Sequence, residues 1–221
     1  MKPVIKIDDT ELTQVAHTKF LGVLIDDRSL WKDHISLISS KVSRGLGAIN
    51  RVKYILPAKS LLLLYHTLIY PHLSYCCVAW GSAAQTNLQH LISLQKRALR
   101  LITNSEFRAA SKPLFSKLNL LTLEDICLLQ TLQFMAKFKL KLLPVSCSNL
   151  LDLPNPRKLH NTRSVIHFQC NHYSNNVSKR CLRYRGPPLW ASLPLLIRNT
   201  ADIHSFTREV FRLLVDRYKE N

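Results

Sequence analysis

The sequence has 221 residues, of which 47% are hydrophobic, so it can bury a substantial core and does not have the composition of a disordered tail. It contains 40 leucines but only 5 glycines and 10 prolines, a balance that favours packed helices and excludes collagen-like and low-complexity chains. Its formal net charge of +17 lies mostly in residues 51–221, which hold 24 of the 31 basic and 8 of the 14 acidic side chains. A field of this sign attracts polyanions, nucleic acid first, with an anionic membrane surface or a merely solubilising charge as alternatives.

Short strands are predicted at the N-terminus. The first 25 residues alternate polar and apolar side chains in the manner of two or three short strands. Asp8 and Asp9 fit a turn between strands, and Asp26 and Asp27 end the last strand. The first residues contain no apolar segment typical of a signal peptide.

A helix is predicted from Ser29 onward, with Ser29 as its N-terminal cap. Its buried face consists of apolar residues spaced three and four apart, namely Ile35, Ile38, Val42, Leu46 and Ile49. Gly45 and Gly47 weaken this helix, which indicates that another element packs closely against it.

The segment Ser60–Gln95 contains no Asp, Glu, Lys or Arg and is predicted to be the most buried part of the fold. It is not predicted to span a membrane, because His66, Pro71 and His72 interrupt the apolar run before the roughly 20 residues that a span requires. Pro57 fits the first turn of a helix here, and Pro71 should end or kink that helix.

Capping patterns predict two further helices. Thr86 and Gln89 match a capping box at the start of one helix. Thr122 and Asp125 mark the start of a longer helix, which is expected to continue to about Leu143. The polar side chains of the longer helix form a single stripe, so most of its circumference is predicted to be buried; the stripe is Gln130, Gln133, Lys137 and Lys141.

The C-terminal part of the chain changes in character. Residues 144–175 are rich in Pro, Asn, Ser and His and are predicted to form an irregular linker. Residues 176–221 form a small C-terminal unit in this interpretation, with a turn at Gly186–Pro188 and a final amphipathic helix.

Carboxylate, cysteine and histidine groupings give no recognisable catalytic or metal site. The pairs Asp8-Asp9 and Asp26-Asp27 have the chemistry of metal ligands for phosphoryl transfer, but turn and cap roles explain both. The histidines and cysteines between 160 and 181 lack standard zinc-ligand spacing; they are His160, His167, Cys170, His172 and Cys181. The sequence therefore predicts no catalytic residue, no bound metal and no cofactor.

Clusters of basic residues carry the clearest functional signal. Lys96, Arg97 and Arg100 lie at helical spacing opposite an apolar stripe, and cations on such a face suit contacts with phosphates. A solvated helix surface is the alternative, and the basic side chains at 137–141 also complement the C-terminal end of a helix. The predicted nucleic-acid-binding residues are Lys96, Arg97, Arg100, Lys137, Lys141, Arg183 and Arg185.

Several ordered blocks of the sequence are similar to one protein family. The blocks are Lys19–Asp26, Trp31–Ile35, Leu64–Gly81, Leu91–Ile102 and Arg185–Phe206. In this order they resemble the region that follows the catalytic palm in the reverse transcriptases of non-LTR (LINE-type, jockey-like) retrotransposons. The resemblance covers nearly the whole chain and concerns only the thumb and the C-terminal region of that family.

The resemblance implies a mainly α fold. It assigns residues 1–28 to short strands at the palm edge, 29–143 to a helical thumb-like domain, 144–175 to the linker and 176–221 to the C-terminal unit. In the family, paired palm aspartates bind Mg²⁺ for RNA-directed DNA synthesis, but the aromatic-Ala-Asp-Asp motif is absent from this sequence. The chain is therefore expected to be a C-terminal fragment without the palm, and not an enzyme on its own.

The resemblance and the positive charge together imply sequence-independent binding of a primer–template, whether RNA, DNA or an RNA–DNA hybrid. A reverse transcriptase palm is a further expected partner. The alternatives are a non-catalytic protein-interaction module and a non-functional transposon remnant. The chain has no clear nuclear-import signal, so the sequence leaves the nucleus and the cytoplasm open as locations.

Overall fold

The computed structural model describes residues 6–8, 10–151, 168 and 178–219, and it is mainly α-helical with short N-terminal strands, as the sequence predicts. Two antiparallel hairpins come first, formed by β1 (Lys6–Ile7) with β2 (Thr10–Glu11) and by β3 (His17–Phe20) with β4 (Val23–Asp26). Asp8 lies in the first turn as predicted, whereas Asp9 is outside the described residues. Gly22 in the second turn has a φ of 82°, which glycine adopts without steric cost.

The α-helices of the described chain are α1 (Lys32–Val52), α2 (Ala58–Leu68), α3 (Tyr70–Ser74), α4 (Cys77–Trp80), α5 (Gln85–Thr103), α6 (Ser111–Leu118), α7 (Leu123–Lys139), α8 (Leu182–Ala191), α9 (Leu195–Arg198) and α10 (Ile203–Asp216). Short 3-10 turns lie at Val145–Cys147 and Ser178–Arg180. α1 packs along α5, and α7 contacts α3, α4, α8 and α10. Most of the predicted linker lies outside the described residues, and the division of the chain into segments stays a prediction. None of the described helices is long and apolar enough to cross a membrane.

The apolar face predicted for α1 is confirmed, because its five members are each at most 5% exposed: Ile35, Ile38, Val42, Leu46 and Ile49. Close packing is confirmed at Gly45, where a Cβ would come within 3.0 Å of the Leu68 carbonyl oxygen. At Gly47 the same expectation is wrong, since a Cβ there would meet no atom within 4 Å. Only one of the two glycines is therefore required by a neighbouring helix.

Asp26, rather than Ser29, organises the entry to α1. The helix begins three residues after Ser29, which has a left-handed φ of 52°, so the predicted Ser29 cap is wrong. The Asp26 carboxylate accepts backbone N–H hydrogen bonds from Arg28, Leu30 and Trp31 at 3.1, 2.8 and 2.7 Å. Partial burial raises the pKa of Asp26, but these N–H donors together outweigh it and lower the pKa. The last strand ends at Asp26, as the sequence predicts.

Pro71 separates two helices as predicted, because α2 ends at Leu68 and α3 begins at Tyr70 with the proline in its first turn. The segment Ser60–Gln95 is not the most buried part of the fold, so that prediction is wrong. Helix α2 lies at the surface and buries a single face, which leaves Leu63 64% exposed. The absence of charge in this segment does not mean that all of it is core.

The two predicted capping patterns have different outcomes. Helix α5 begins at Gln85, because its first α-helical hydrogen bond runs from the Leu88 N–H to the Ala84 carbonyl. Thr86 therefore lies inside the first turn, and the predicted capping box with Gln89 is wrong. Helix α7 begins directly after Thr122, as predicted. The Thr122 hydroxyl accepts the Asp125 N–H at 3.2 Å and donates to the Asp125 carboxylate at 2.7 Å.

Helix α7 ends four residues before the predicted Leu143, because Lys141 adopts a left-handed conformation with a φ of 56°. The N–H of Lys141 bonds to the Phe138 carbonyl. The N–H of Leu142 bonds to the Lys137 carbonyl, and the two bonds together form the Schellman pattern that ends many helices. Lys141 therefore lies outside the helix and off the polar stripe predicted for it.

Helix α8 runs through Gly186–Pro188, where the sequence predicts a turn, so that prediction is wrong. Proline adopts a helical φ, and its cost inside a helix comes from the missing N–H donor and from steric conflict with the preceding turn. Gly186 allows close contact with α7, since a Cβ there would lie 2.8 Å from the Met135 sulfur. Trp190 is buried and stacks on Phe206 of α10 with ring centroids 5.4 Å apart. Packing against α7 and α10 thus outweighs the local preference for a turn.

A buried glutamine connects α5 to α2 and to the start of α7. Gln95 is fully buried, and its Nε2 donates to the Tyr65 hydroxyl at 3.0 Å and to the Leu121 carbonyl at 2.9 Å. Its Oε1 accepts the Leu123 N–H at 2.8 Å. Leu123 opens α7, so its N–H has no acceptor within the helix, and Gln95 supplies one.

Tyr218, just after α10, ties the C-terminal helix to the start of α7. Its hydroxyl accepts the Thr122 N–H at 3.1 Å and donates to the Asp125 carboxylate. Burial and the hydrogen bond to Asp125 raise the pKa of Tyr218, so the hydroxyl keeps its proton and donates at neutral pH. Its ring lies 6.1 Å from the Phe115 ring, so it also contributes apolar packing.

We expect Gln95→Leu to lower the free energy of unfolding by at least about 2 kcal/mol, because each buried polar group left without its partner costs about 1–3 kcal/mol. Chemical denaturation followed by circular dichroism measures this loss. The matched control is Gln89→Leu, the same change at an exposed position of the same helix. Equal stability of the two variants would contradict the role of the Gln95 amide.

We expect Tyr218→Phe to lower the free energy of unfolding by about 1–2 kcal/mol, because the ring packing remains while the hydroxyl contacts with Thr122 and Asp125 are lost. Tyr54→Phe is the control, since Tyr54 is 80% exposed. Thermal unfolding of both variants measures the difference in stability. An unshifted unfolding midpoint for Tyr218→Phe would show that the hydroxyl contacts with Thr122 and Asp125 do not stabilise the docking of α10.

Candidate nucleic-acid interface

Helix α5 carries two adjacent cations on its solvent side. Lys96 is half-buried and Arg97 is exposed, whereas the neighbouring Gln95 and Ala98 are fully buried. Neither cation forms an ion pair with any residue that the structure describes; the ion pairs found there involve Glu209 and Asp216. The positive charge of Lys96 and Arg97 is therefore available to an external anion.

Arg100 lies one turn further along α5 and contacts the chain itself. Its Nε donates to the Ala109 carbonyl at 3.0 Å, which holds the loop between α5 and α6 against the end of α5. A guanidinium has five N–H donors, so four remain for other partners. Arg100 thus combines a structural contact with a free cationic surface.

The same loop exposes an aromatic residue that the sequence analysis does not single out. Phe107 is 80% exposed, and it lies between Glu106 and the exposed Arg108. Because Arg100 holds Ala109, this aromatic side chain stands near the basic end of α5. Exposed aromatic rings beside cations suit stacking on nucleic-acid bases. The sequence could have indicated Phe107, because this aromatic residue does not belong to the apolar face of any predicted helix.

The second predicted cluster lies at the end of α7. Lys137 and Lys141 are both exposed, the first in the last helical turn and the second just beyond it. Lys139, between them, points elsewhere: its Nζ donates to the Arg198 carbonyl at 2.5 Å and lies 5.8 Å from the centre of the Trp190 ring. Partial burial, with a smaller effect of Arg198, lowers the pKa of Lys139. The structure thus leaves two of three lysines free here.

The third predicted cluster is engaged with the protein. Arg183 donates from Nε to the Leu150 carbonyl at 2.9 Å and from Nη2 to the Asn149 carbonyl, so it holds the segment after α7 against α8. Arg185 is half-buried, and desolvation lowers its pKa while the nearby Cys127 and Cys77 thiols oppose that shift. The predicted residues therefore fall into two groups. Lys96, Arg97, Lys137 and Lys141 form no ion pair with a described residue. Arg100 and Arg183 donate hydrogen bonds to backbone carbonyls, and Arg185 is half-buried. Nucleic-acid binding by any of them stays a prediction.

Metal binding has little support among the described residues, where no group of three or more His, Cys, Asp or Glu side chains could hold an ion. Of the cysteine and histidine set considered from sequence, only Cys181 is described; His160, His167, Cys170 and His172 lie outside the described residues. Cys181 precedes α8 as its N-terminal boundary residue. The Asp26 carboxylate is occupied by backbone N–H donors.

Two curated proteins of Drosophila melanogaster are similar to this chain. One is the probable RNA-directed DNA polymerase from transposon X-element, 26% identical over 129 residues, which are 56% of this chain and 14% of that protein. The other is the probable RNA-directed DNA polymerase from transposon BS, 27% identical over 127 residues, which are 55% of this chain and 14% of that protein. No family model and no solved structure matches the chain. These similarities confirm the predicted resemblance to RNA-directed DNA polymerases of transposons, and the chain spans only a small part of the length of these relatives.

Proposed function

Because the chain is related to transposon RNA-directed DNA polymerases, we propose that it binds the nucleic-acid backbone without regard to sequence, as a thumb-like part of such an enzyme. The observation that carries the proposal is the adjacent pair of the half-buried Lys96 and the exposed Arg97 on α5, neither of which forms an ion pair with a described carboxylate. The proposed ligand is the phosphate backbone, because cations contact phosphate oxygens and those oxygens are the same for every base sequence. RNA, DNA and an RNA–DNA hybrid all present such phosphates.

The position of these cations is set by the core. Lys96 directly follows Gln95, whose amide is held at three points, and Ala98 and Leu99 are fully buried on the same turn. The backbone that carries Lys96 and Arg97 therefore cannot shift without disturbing the core. A rigid cationic face releases counterions from a strand and loses little conformational entropy on binding.

We also propose that the chain binds nucleic acid without carrying out polymerisation itself. The aromatic-Ala-Asp-Asp motif is absent from its sequence. Of the two aspartate pairs in the sequence, Asp26 and Asp27 lie at the turn into α1, where the Asp26 carboxylate accepts three backbone N–H groups. This carboxylate is committed to the fold rather than to a metal ion.

We expect the double variant Lys96→Ala with Arg97→Ala to bind RNA–DNA hybrid more weakly, by a similar factor for every sequence tested. The slope of log affinity against log salt should flatten by up to about 2, because each phosphate contact contributes about 0.9. Fluorescence anisotropy across a salt series measures both quantities.

The matched control for this experiment is Arg208→Ala with Arg212→Ala. It removes the same charge from α10, where both guanidinium groups lie near Glu209. An equal loss in the two double variants would mean that net charge alone drives binding, and an unchanged slope for the α5 variant would remove α5 from the interface.

A second candidate function, protein interaction, is favoured by the β3–β4 hairpin. Phe20 and Leu21 are 62% and 74% exposed, yet the hairpin is fixed to the helices. The Tyr75 hydroxyl donates to the Leu21 carbonyl at 2.7 Å, and the Leu24 N–H donates to His34 Nδ1 at 3.3 Å. An ordered apolar surface of this kind fits a protein partner, which we propose to be the palm of the polymerase.

We expect the isolated chain to self-associate through this hairpin, and Phe20→Ser with Leu21→Ser to shift it toward the monomer in sedimentation velocity. Tyr54→Ser with Ile55→Ser is the control, because that pair is 80% and 79% exposed at another site. A wild-type chain that stays monomeric at high concentration would count against this surface.

A remnant that hardly folds is the remaining alternative, which a cooperative unfolding transition would exclude.

A further inference from the structure

A cationic groove lies between α1 and the α2–α3 pair. It encloses about 370 Å³ and is lined by Lys41, Arg44, Gly45, Ala48, Thr67, Leu68 and His72. Its basic residues come from two helices and are not among those predicted from sequence to bind nucleic acid. The groove is distinct from the cations of α5, none of which lines it.

Close helix packing creates this groove. Gly45 allows α1 to approach the end of α2, since a Cβ at Gly45 would lie 3.0 Å from the Leu68 carbonyl oxygen and 3.2 Å from the Ile69 side chain. Arg44 directly precedes the glycine, and Lys41 lies one turn earlier. The close contact therefore brings both cations beside the start of α3, where His72 lies.

The groove has positive charge without a compensating carboxylate. No Asp or Glu lines it, and neither Lys41 nor Arg44 has a hydrogen bond or ion pair to any described residue. The Thr67 hydroxyl donates to the carbonyls of the preceding turn of its own helix, so the donors available in the groove are the two cations and His72. Partial burial lowers the pKa of His72, and the charges of Lys41 and Arg44 lower it further.

A purely structural role for these cations is less consistent with the geometry. Cations near a helix C-terminus stabilise its free carbonyls, and the end of α2 is close by. Such a role would place Lys41 or Arg44 in hydrogen bonds to the last carbonyls of α2, and the described hydrogen bonds include none of this kind. The Tyr65 carbonyl is instead taken by the Ile69 N–H.

We propose that this groove binds one phosphate group of a nucleic-acid strand, as a second backbone contact separate from α5. A guanidinium and an ammonium that converge on one cavity, with an imidazole N–H beside them, match the charge and the several oxygen acceptors of a phosphate. The inference rests on the proposed function, because it names a further site for the same class of ligand. Free phosphate has the same chemistry and is the other source that the experiment must distinguish.

The first test measures binding of the single strand dT12 by anisotropy across a salt series. Lys41→Ala with Arg44→Ala should weaken binding and flatten the salt slope by about 0.7, which is the contribution of the one single-strand phosphate that the groove would hold. The control, Arg51→Ala with Lys59→Ala, removes the same charge from exposed positions of α1 and α2 that do not line the groove. Equal behaviour of these two double variants would overturn the proposal.

The two proposals fail separately in this test. A loss with the Lys96 and Arg97 variant alone would overturn the groove and keep α5 as the interface. A loss with the Lys41 and Arg44 variant alone would support the groove and remove α5. Losses with both variants that exceed the control would support both sites.

The second test observes the His72 ring directly by NMR, with its resonance assigned through His72→Gln. Addition of dT6 should shift the His72 resonance more than those of the exposed His66 and His90, and the shift should vanish in Lys41→Ala with Arg44→Ala. A shift with inorganic phosphate and none with dT6 would overturn the nucleic-acid assignment. An unshifted His72 with both probes would overturn the site itself.

Discussion

The Gln95 amide lies in the apolar centre of the bundle, where its hydrogen bonds join α5 to α2 and to the start of α7. It meets the Tyr65 hydroxyl of α2, the Leu121 carbonyl before α7 and the Leu123 N–H that opens α7. A buried polar group without its partner costs about 1–3 kcal/mol by mutational measures, a large fraction of the stability of a domain. The mutual position of α2, α5 and α7 is therefore constrained far more tightly than apolar contact alone would require.

The packing of this core sets the positions of the cations on α5 and in the groove between α1 and the α2–α3 pair. Lys96 and Arg97 directly follow Gln95 on α5. Because the Gln95 side chain bonds to the buried Leu123 N–H, it also fixes the orientation of the helix face that carries the two cations. On the other side of α1, the contact of Gly45 with Leu68 brings the cations of one helix beside the histidine of another. Both candidate phosphate sites are thus properties of helix packing, and neither depends on a long loop.

Positive charge by itself does not identify the binding residues, because the fold uses several cations for its own hydrogen bonds. Arg183 holds the segment after α7, and Lys139 closes on the carbonyl of Arg198. The two hydrogen-bonding partners are far apart along the chain: Arg183 and Leu150 are separated by 33 residues, and Lys139 and Arg198 by 59. A reading of spacing along one helix cannot detect such a partner. Exposed cations without these bonds are the ones left for a ligand.

The sequence by itself determined the local features: the apolar face of α1, the break at Pro71, the Thr122 cap, the end of the last strand at Asp26 and the resemblance to transposon RNA-directed DNA polymerases. Each local feature depends on residues that are close together in the sequence, and the resemblance depends on short sequence blocks in a fixed order. Both can be recognised from the sequence alone. Only the tertiary structure decided that α8 continues through Gly186–Pro188, that Arg185 is half-buried, and that Lys41 and His72 line the same groove. Those outcomes depend on which distant helices come into contact, because packing energy between helices exceeds the local preferences of a turn or of a single charge.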